Sequence, residues 1–171
     1  MALSTYMTLK GLKQGKIEGS CEQDNRKGSI IVIATNHEIM SPRDIESGLA
    51  TGKRQHKPLV ITKELDKSTP LLYVALTSNE NLTDVELKYY RPQIRAMGGI
   101  GLEVNHFNIK LTNATITSIR MLMPNNKHQE LKQFETYEEV AFTYEKIEWT
   151  WVEGGITGWD SWIHPDRAIT V

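Results

Sequence analysis

Apolar and polar residues alternate with period two along most of this chain, the signature of half-buried β-strands. In TDVELKYYR, residues 83–91, Val85, Leu87 and Tyr89 share one face and Asp84, Glu86 and Lys88 the other. Phe107, Ile109 and Leu111 repeat the pattern, and Ile119, Met121 and Met123 resume it before Pro124 ends the segment. Between these blocks Ala114 and Ile116 fall in the opposite phase, so the spacing predicts a bulge or a change of sheet face there. EEVAFTYEKIEWTW, residues 138–151, breaks once: Val140, Phe142 and Tyr144 have one parity, and Ile147, Trp149 and Trp151 the other. A slip of one residue swaps faces, so a bulge near Glu145 and Lys146 keeps both sets on one side of a curved strand.

SIIVIATNH, residues 29–37, is apolar on both faces over its first half and predicts a strand covered on both sides. YMTLKG near the start and LVITKE at 59–64 are further strands. The one helical pattern is STPLLYVALTSN, with Ser68 or Thr69 to cap, Pro70 in the first turn and Leu71, Leu72, Ala75 and Leu76 as a stripe. Two long stretches, 41–58 and 91–105, follow neither period, and patternless loops of that length inside a compact domain tend to be functional. The expected fold class is mainly β: a small β-barrel of two packed, mostly antiparallel sheets, with one short flanking helix and a long extended loop. Residues 1–162 are read as one domain, and 163–171 as a tail too short for a fused domain, either disordered or capping a face.

Composition narrows the function. A chain of 171 residues suits a single domain with a self-sufficient core. Twenty Lys and Arg against 21 Asp and Glu give a net charge of -1, which lacks the general basic footprint of a nucleic-acid binder. The only cysteine, Cys21, excludes an intramolecular disulfide. The start lacks an apolar run of signal-peptide length, and no stretch approaches the roughly 18 apolar residues of a membrane span. The expectation is therefore a chain without a cleaved leader and without membrane insertion.

Candidate chemistry is sparse. GLATGKRQHKPL, residues 48–59, loosely resembles a phosphate-binding loop, but three residues separate Gly48 from Gly52, Arg54 follows Lys53, and a strand comes next in place of a helix. GGIG at 98–101 lacks the third glycine of a dinucleotide fingerprint, because Val104 stands there. His37, His56, His106, His128 and His164 show no metal-ligand spacing, and no Gly-x-Ser-x-Gly marks a nucleophile. A cluster assembled only by folding stays open at this point, but the expectation is neither an enzyme nor a cofactor or metal site. Trp149, Trp151, Trp159 and Trp162 lie among Glu145, Glu148, Glu153 and Asp160, which is the wrong charge for a base-stacking platform. Trp149 and Trp151 read as core plus interface, and Trp159 and Trp162 as a surface that packs on a partner.

Four stretches carry a resemblance: SPRDIESGLATGKRQHKPLVITKELDKSTPLLYVAL, VELKYYRP, HFNIKLTNATITSIRMLMPN and EEVAFTYEKIEWTWVEGGITGWDSW. With the amino-terminal strand they cover nearly everything to Trp162, and together they resemble the haemolysin-coregulated protein family, the tube protein of type VI secretion systems. That resemblance implies a barrel assembled into homohexameric rings that stack into a hollow tube, similar to the tail tube of contractile bacteriophages. A contractile sheath and a spike protein would be its partners, with small effector cargo inside the ring. The protein would wait in the bacterial cytoplasm and then be secreted into the medium or a target cell. Edge strands fit this picture, since ring closure pairs backbone groups that would otherwise stay open. The 41–58 loop then reads as an arm to a neighbouring subunit or ring, with Arg43, Asp44, Lys53, Arg54 and His56 as its charged contacts and Leu49 as its apolar one.

Overall fold

The computed structural model describes residues 5–93, 103–163 and 169–170. In chain order the strands are β1 (Thr5–Gly11), β2 (Gly15–Ile17), β3 (Ile30–Val32), β4 (Ala34–Asn36), β5 (Ile39–Met40), β6 (Gln55–His56) and β7 (Leu59–Glu64). Helix α1 (Thr69–Thr77) follows, then β8 (Leu82–Pro92), β9 (Glu103–Leu122), β10 (Tyr137–Thr143), β11 (Lys146–Trp151), β12 (Ile156–Ser161) and β13 (Ile169–Thr170). Among the described residues the molecule is mainly β, with two main sheets and one α-helix, as the alternation implied.

The twenty-residue strand β9 belongs to both sheets. Its first half pairs with β8 on one edge and β11 on the other, and its second half pairs with β10. Asn113 marks the changeover with a left-handed φ of 50°, and Leu111 and Ala114 are buried on either side of it. A second slip leaves Thr117 without a ladder partner, between Ile116↔Phe142 and Ser118↔Ala141. The matching break lies across from Asn113: β10 ends at Thr143, β11 begins at Lys146, and Glu145 N–H donates to the carbonyls of Thr112 and Asn113. Both phase changes in the sequence are therefore bends that carry two strands together from one sheet to the other.

At the opposite side, β3 pairs with β1 and β4 pairs with β7. The ladder is interrupted at Ile33, so the pairings nearly encircle the core without closing a barrel. Ile30 and Val32 point into the core, but Ile31 is 51% and Ile33 55% exposed. The strand expected to be covered on both sides is thus open on one. Met121 and Met123 are exposed as well.

Helix α1 packs Leu72 and Ala75 onto the core, while Leu71, expected in the stripe, is exposed. Pro70 sits in the first turn, yet neither candidate side chain caps the helix. Ser68 Oγ donates to Asp66 Oδ1 (2.5 Å) and Thr69 Oγ1 to Glu138 Oε1 (2.9 Å). The helix start is fixed instead by a buried cation: Lys63 Nζ lies 2.7 Å from Glu138 Oε1 and 3.0 Å from Asp66 Oδ1, and both Lys63 and Glu138 are fully buried. Beyond Trp162, β13 adds a two-residue strand to β12. Most of the second patternless stretch, including the GGIG run, and His164 lie outside the described residues.

Candidate assembly interface

The arm is a hairpin that continues the β4–β7 pair outward. β5 and β6 pair as Ile39↔His56 and Met40↔Gln55, and a single bridge joins Arg43 to Ala50. Asp44 builds the tip. Its Oδ2 accepts from Ser47 N–H (2.9 Å) and Ser47 Oγ–H (2.6 Å), its carbonyl accepts from Gly48 N–H (2.9 Å), and its own N–H donates to Leu49 O (2.9 Å). These bonds hold the Asp44 carboxyl below the usual carboxylate range. Gly48 takes a φ of 68°, where a side chain would be strained. The tip therefore has a set shape and presents Ile45 at 99% and Leu49 at 69% exposure.

The root is clamped to the end of β12. Arg54 donates from Nε to Asp160 Oδ2, and from Nη2 to Asp160 Oδ1 (2.5 Å) and to the Ser161 carbonyl (2.7 Å). His56 Nε2 donates to Asp160 Oδ2 (2.9 Å), which leaves its Nδ1 to accept from the Tyr144 hydroxyl (2.8 Å); that oxygen accepts in turn from His37 Nε2 (2.7 Å). Trp162 lies against the His56 ring, with centroids 5.1 Å apart. Burial alone would raise the Asp160 carboxyl, but the Arg54 and His56 donors outweigh it and hold the group below its usual range. Burial and the Asp160 charge push the Tyr144 hydroxyl well above its ordinary value, and burial together with His56 keeps His37 below the usual imidazole range.

The six arm residues expected from sequence thus divide by position. Arg54 and His56 hold the root to their own chain, Asp44 shapes the turn, and Arg43, Leu49 and Lys53 are exposed. Sequence reasoning missed Asp160, Tyr144 and His37, which sit up to 107 positions from their partners and carry no local signal. It also missed Ile45, whose signal was present: an isolated branched apolar residue between Asp44 and Glu46 in a polar loop.

The class the fold defines is a mainly-β body carrying a hairpin clamped at its root. Residues 6–151 match the family model described as "Type VI secretion system effector, Hcp". The chain is 39% identical to the "Major exported protein" of Pseudomonas aeruginosa, with 96% of this chain and 98% of that protein covered. Among solved structures it is similar to a mutant form of the Hcp1 protein from the E. coli EAEC 042 pathovar (35% identity, TM-score 0.81, 94% and 99% of the two chains covered). It is also similar to the secreted protein Hcp3 from Pseudomonas aeruginosa (34% identity, TM-score 0.74, 94% and 99% covered). The chain belongs to the Hcp family of type VI secretion system proteins, the exported, tube-forming class that the sequence resembled.

Proposed function

We propose that this Hcp-family chain works as a structural protomer, with six copies closing into a ring and rings stacking into a hollow tube that the secretion system expels. The observation that carries this reading is the arm: a shaped tip with Ile45 and Leu49 in solvent, braced at its root by Arg54, His56 and Asp160. Exposing two branched apolar side chains on a rigid hairpin favours association, because their burial against another copy removes apolar surface from water. Arg43, Leu49 and Lys53 make the contacts with the neighbouring subunit or ring, while Asp44, Arg54 and His56 keep the arm in the shape that allows them. In this reading the sheath, the spike and small effector cargo are the partners, and the chain waits in the bacterial cytoplasm before export. Its work is assembly and conduction, with no catalytic step.

The test is the solution mass by light scattering across a dilution series. A mass near six times the 19.5 kDa protomer is expected. Lys53→Glu combined with Leu49→Glu should lower assembly without changing the circular dichroism of the barrel. A monomer at every concentration would overturn the ring, and unchanged assembly of the double variant would remove the arm from it.

A further inference from the structure

The loop between β2 and β3, residues 18–29, contains no strand or helix and is nonetheless tightly built. Gly19 N–H donates to Gly28 O (2.9 Å), Gly28 N–H to Cys21 O (2.8 Å) and Cys21 N–H to Ser29 O (3.1 Å). Gly19 has no room for a side chain, since a Cβ there would stand 2.4 Å from the Ser29 carbonyl oxygen, and Asn25 takes a left-handed φ of 70°. Such order in a segment that extends neither sheet fits a loop that presents something. What it presents is Arg26 and Lys27.

Arg26 is held between two rings, its guanidinium carbon 4.6 Å from the Tyr6 centroid and 3.7 Å from that of Tyr90. Its Nη1 donates to Gln23 Oε1 (3.1 Å) and Glu103 Oε2 (2.6 Å), so the side chain is fixed in place. Tyr6 pairs with Lys88 across β1 and β8, and the period of two puts both on the outward face while Met7 and Leu87 enter the core. Arg26, Lys27 and Lys88 thereby edge a crevice of about 160 Å³ that no carboxylate lines. Thr8, Ser29 and Tyr90 complete its wall, and their hydroxyls donate to no group among the described residues. Glu103 and Glu86 meet Arg26 and Lys88 from outside it, and Lys27 is in no ion pair among the described residues.

We propose that this crevice binds the phosphate group of a phosphate monoester. Three cations facing one small space repel one another, and a dianion relieves that repulsion. A phosphate monoester carries about −1.5 to −2 charges near neutral pH and offers several acceptor oxygens. Those oxygens suit an arginine fork, two ammonium groups and the open hydroxyls together. Size sets the rest of the assignment. At about 160 Å³ the crevice is well below the roughly 300–1,000 Å³ of pockets that enclose a whole ligand, so it takes the phosphate and leaves the ester's remaining atoms in solvent. Arg26 and the loop that carries it are ordered beforehand, so binding does not have to immobilise them.

The experiment titrates the full chain at low ionic strength with inorganic phosphate and with glycerol 3-phosphate, using glycerol as the control, and follows binding by calorimetry. Both phosphates are expected to bind and glycerol is not. Lys27→Gln combined with Lys88→Gln should weaken both affinities roughly ten-fold or more while the circular dichroism stays that of the parent. Lys27 is exposed, so Lys27→Gln alone decides should the pair disturb the fold. Phosphatidylcholine vesicles containing phosphatidic acid, whose headgroup is the same monoester, separate the two sources of the group. Sedimentation of the protein with these vesicles, lost in the variant, would support the crevice and assign it a lipid headgroup; calorimetric binding without sedimentation would support it and assign a soluble ester. No binding of either phosphate up to about 10 mM would overturn the proposal, and so would an affinity that the lysine substitutions leave unchanged.

Discussion

The β-sheet body and the arm are built on opposite terms. Inside the body, Met7, Leu59, Ile61, Leu87, Leu111, Phe142 and Ile147 are all fully buried, and even a lysine is enclosed with its own carboxylate. In the arm, two branched residues stand in water and the polar groups make the structure. The body's stability therefore comes from area removed from water, roughly 25 cal/mol per Å², whereas the arm's tip takes its shape from local hydrogen bonds and its root from the Arg54–His56–Asp160 clamp. A segment that costs conformational entropy to order and recovers little apolar burial within its own chain leaves that apolar surface open to another chain. The comparison teaches where to look for function in this fold: in the part whose order the chain does not itself use.

The sharpest break of that comparison is in the body. Lys63→Met should cost about 3–5 kcal/mol, because Glu138 would be left buried without its cation. The double variant Lys63→Met with Glu138→Leu should regain most of that loss in urea denaturation, and equal losses in single and double variants would show that the cation matters for packing alone. Trp149→Ala comes next. This side chain is only half-buried and packs against the core from its edge, so a cost of about 2 kcal/mol is expected, below the range of about 3–5 for a fully buried aromatic. A loss at the full-burial value would place the first sheet's outer end inside the core.

How much of this was legible in the sequence depends on whether the deciding contact was local. The two phase changes near Ala114 and Glu145 were visible because parity is a local property, and both became bends between sheets. The covering of Ile31 and Ile33 was misread because an apolar pattern records that a side chain seeks cover without saying whether the same chain supplies it. The helix caps were misread because Ser68 and Thr69 donate to carboxylates on Asp66 and Glu138 and leave the helix's own first amides uncapped. Arg54 and His56 were read as contacts to another subunit, whereas within this chain they bind Asp160, which lies across the whole fold, beyond the reach of any spacing rule.

The arm's clamp gives the two smaller effects. Arg54→Ala leaves Asp160, itself nearly buried, with His56 as its remaining side-chain donor, and should cost about 1–3 kcal/mol. The loss should appear as faster amide exchange in 39–56, with β8 unchanged; equal acceleration in both would make the clamp part of the global fold. Acid should loosen the same clamp more gently. His37 and Asp160 are both held below their ordinary values, so each favours the folded state above its unfolded range and loses that contribution as pH falls through its folded value. His37 acts first, below about 6.5, and Asp160 only below about 3.9. Between pH 7.5 and 5 the arm's exchange protection should therefore fall slightly, and His37→Gln, which keeps a donor for Tyr144 but cannot titrate, should abolish that slope. A slope that survives the substitution would assign the acid response to another group.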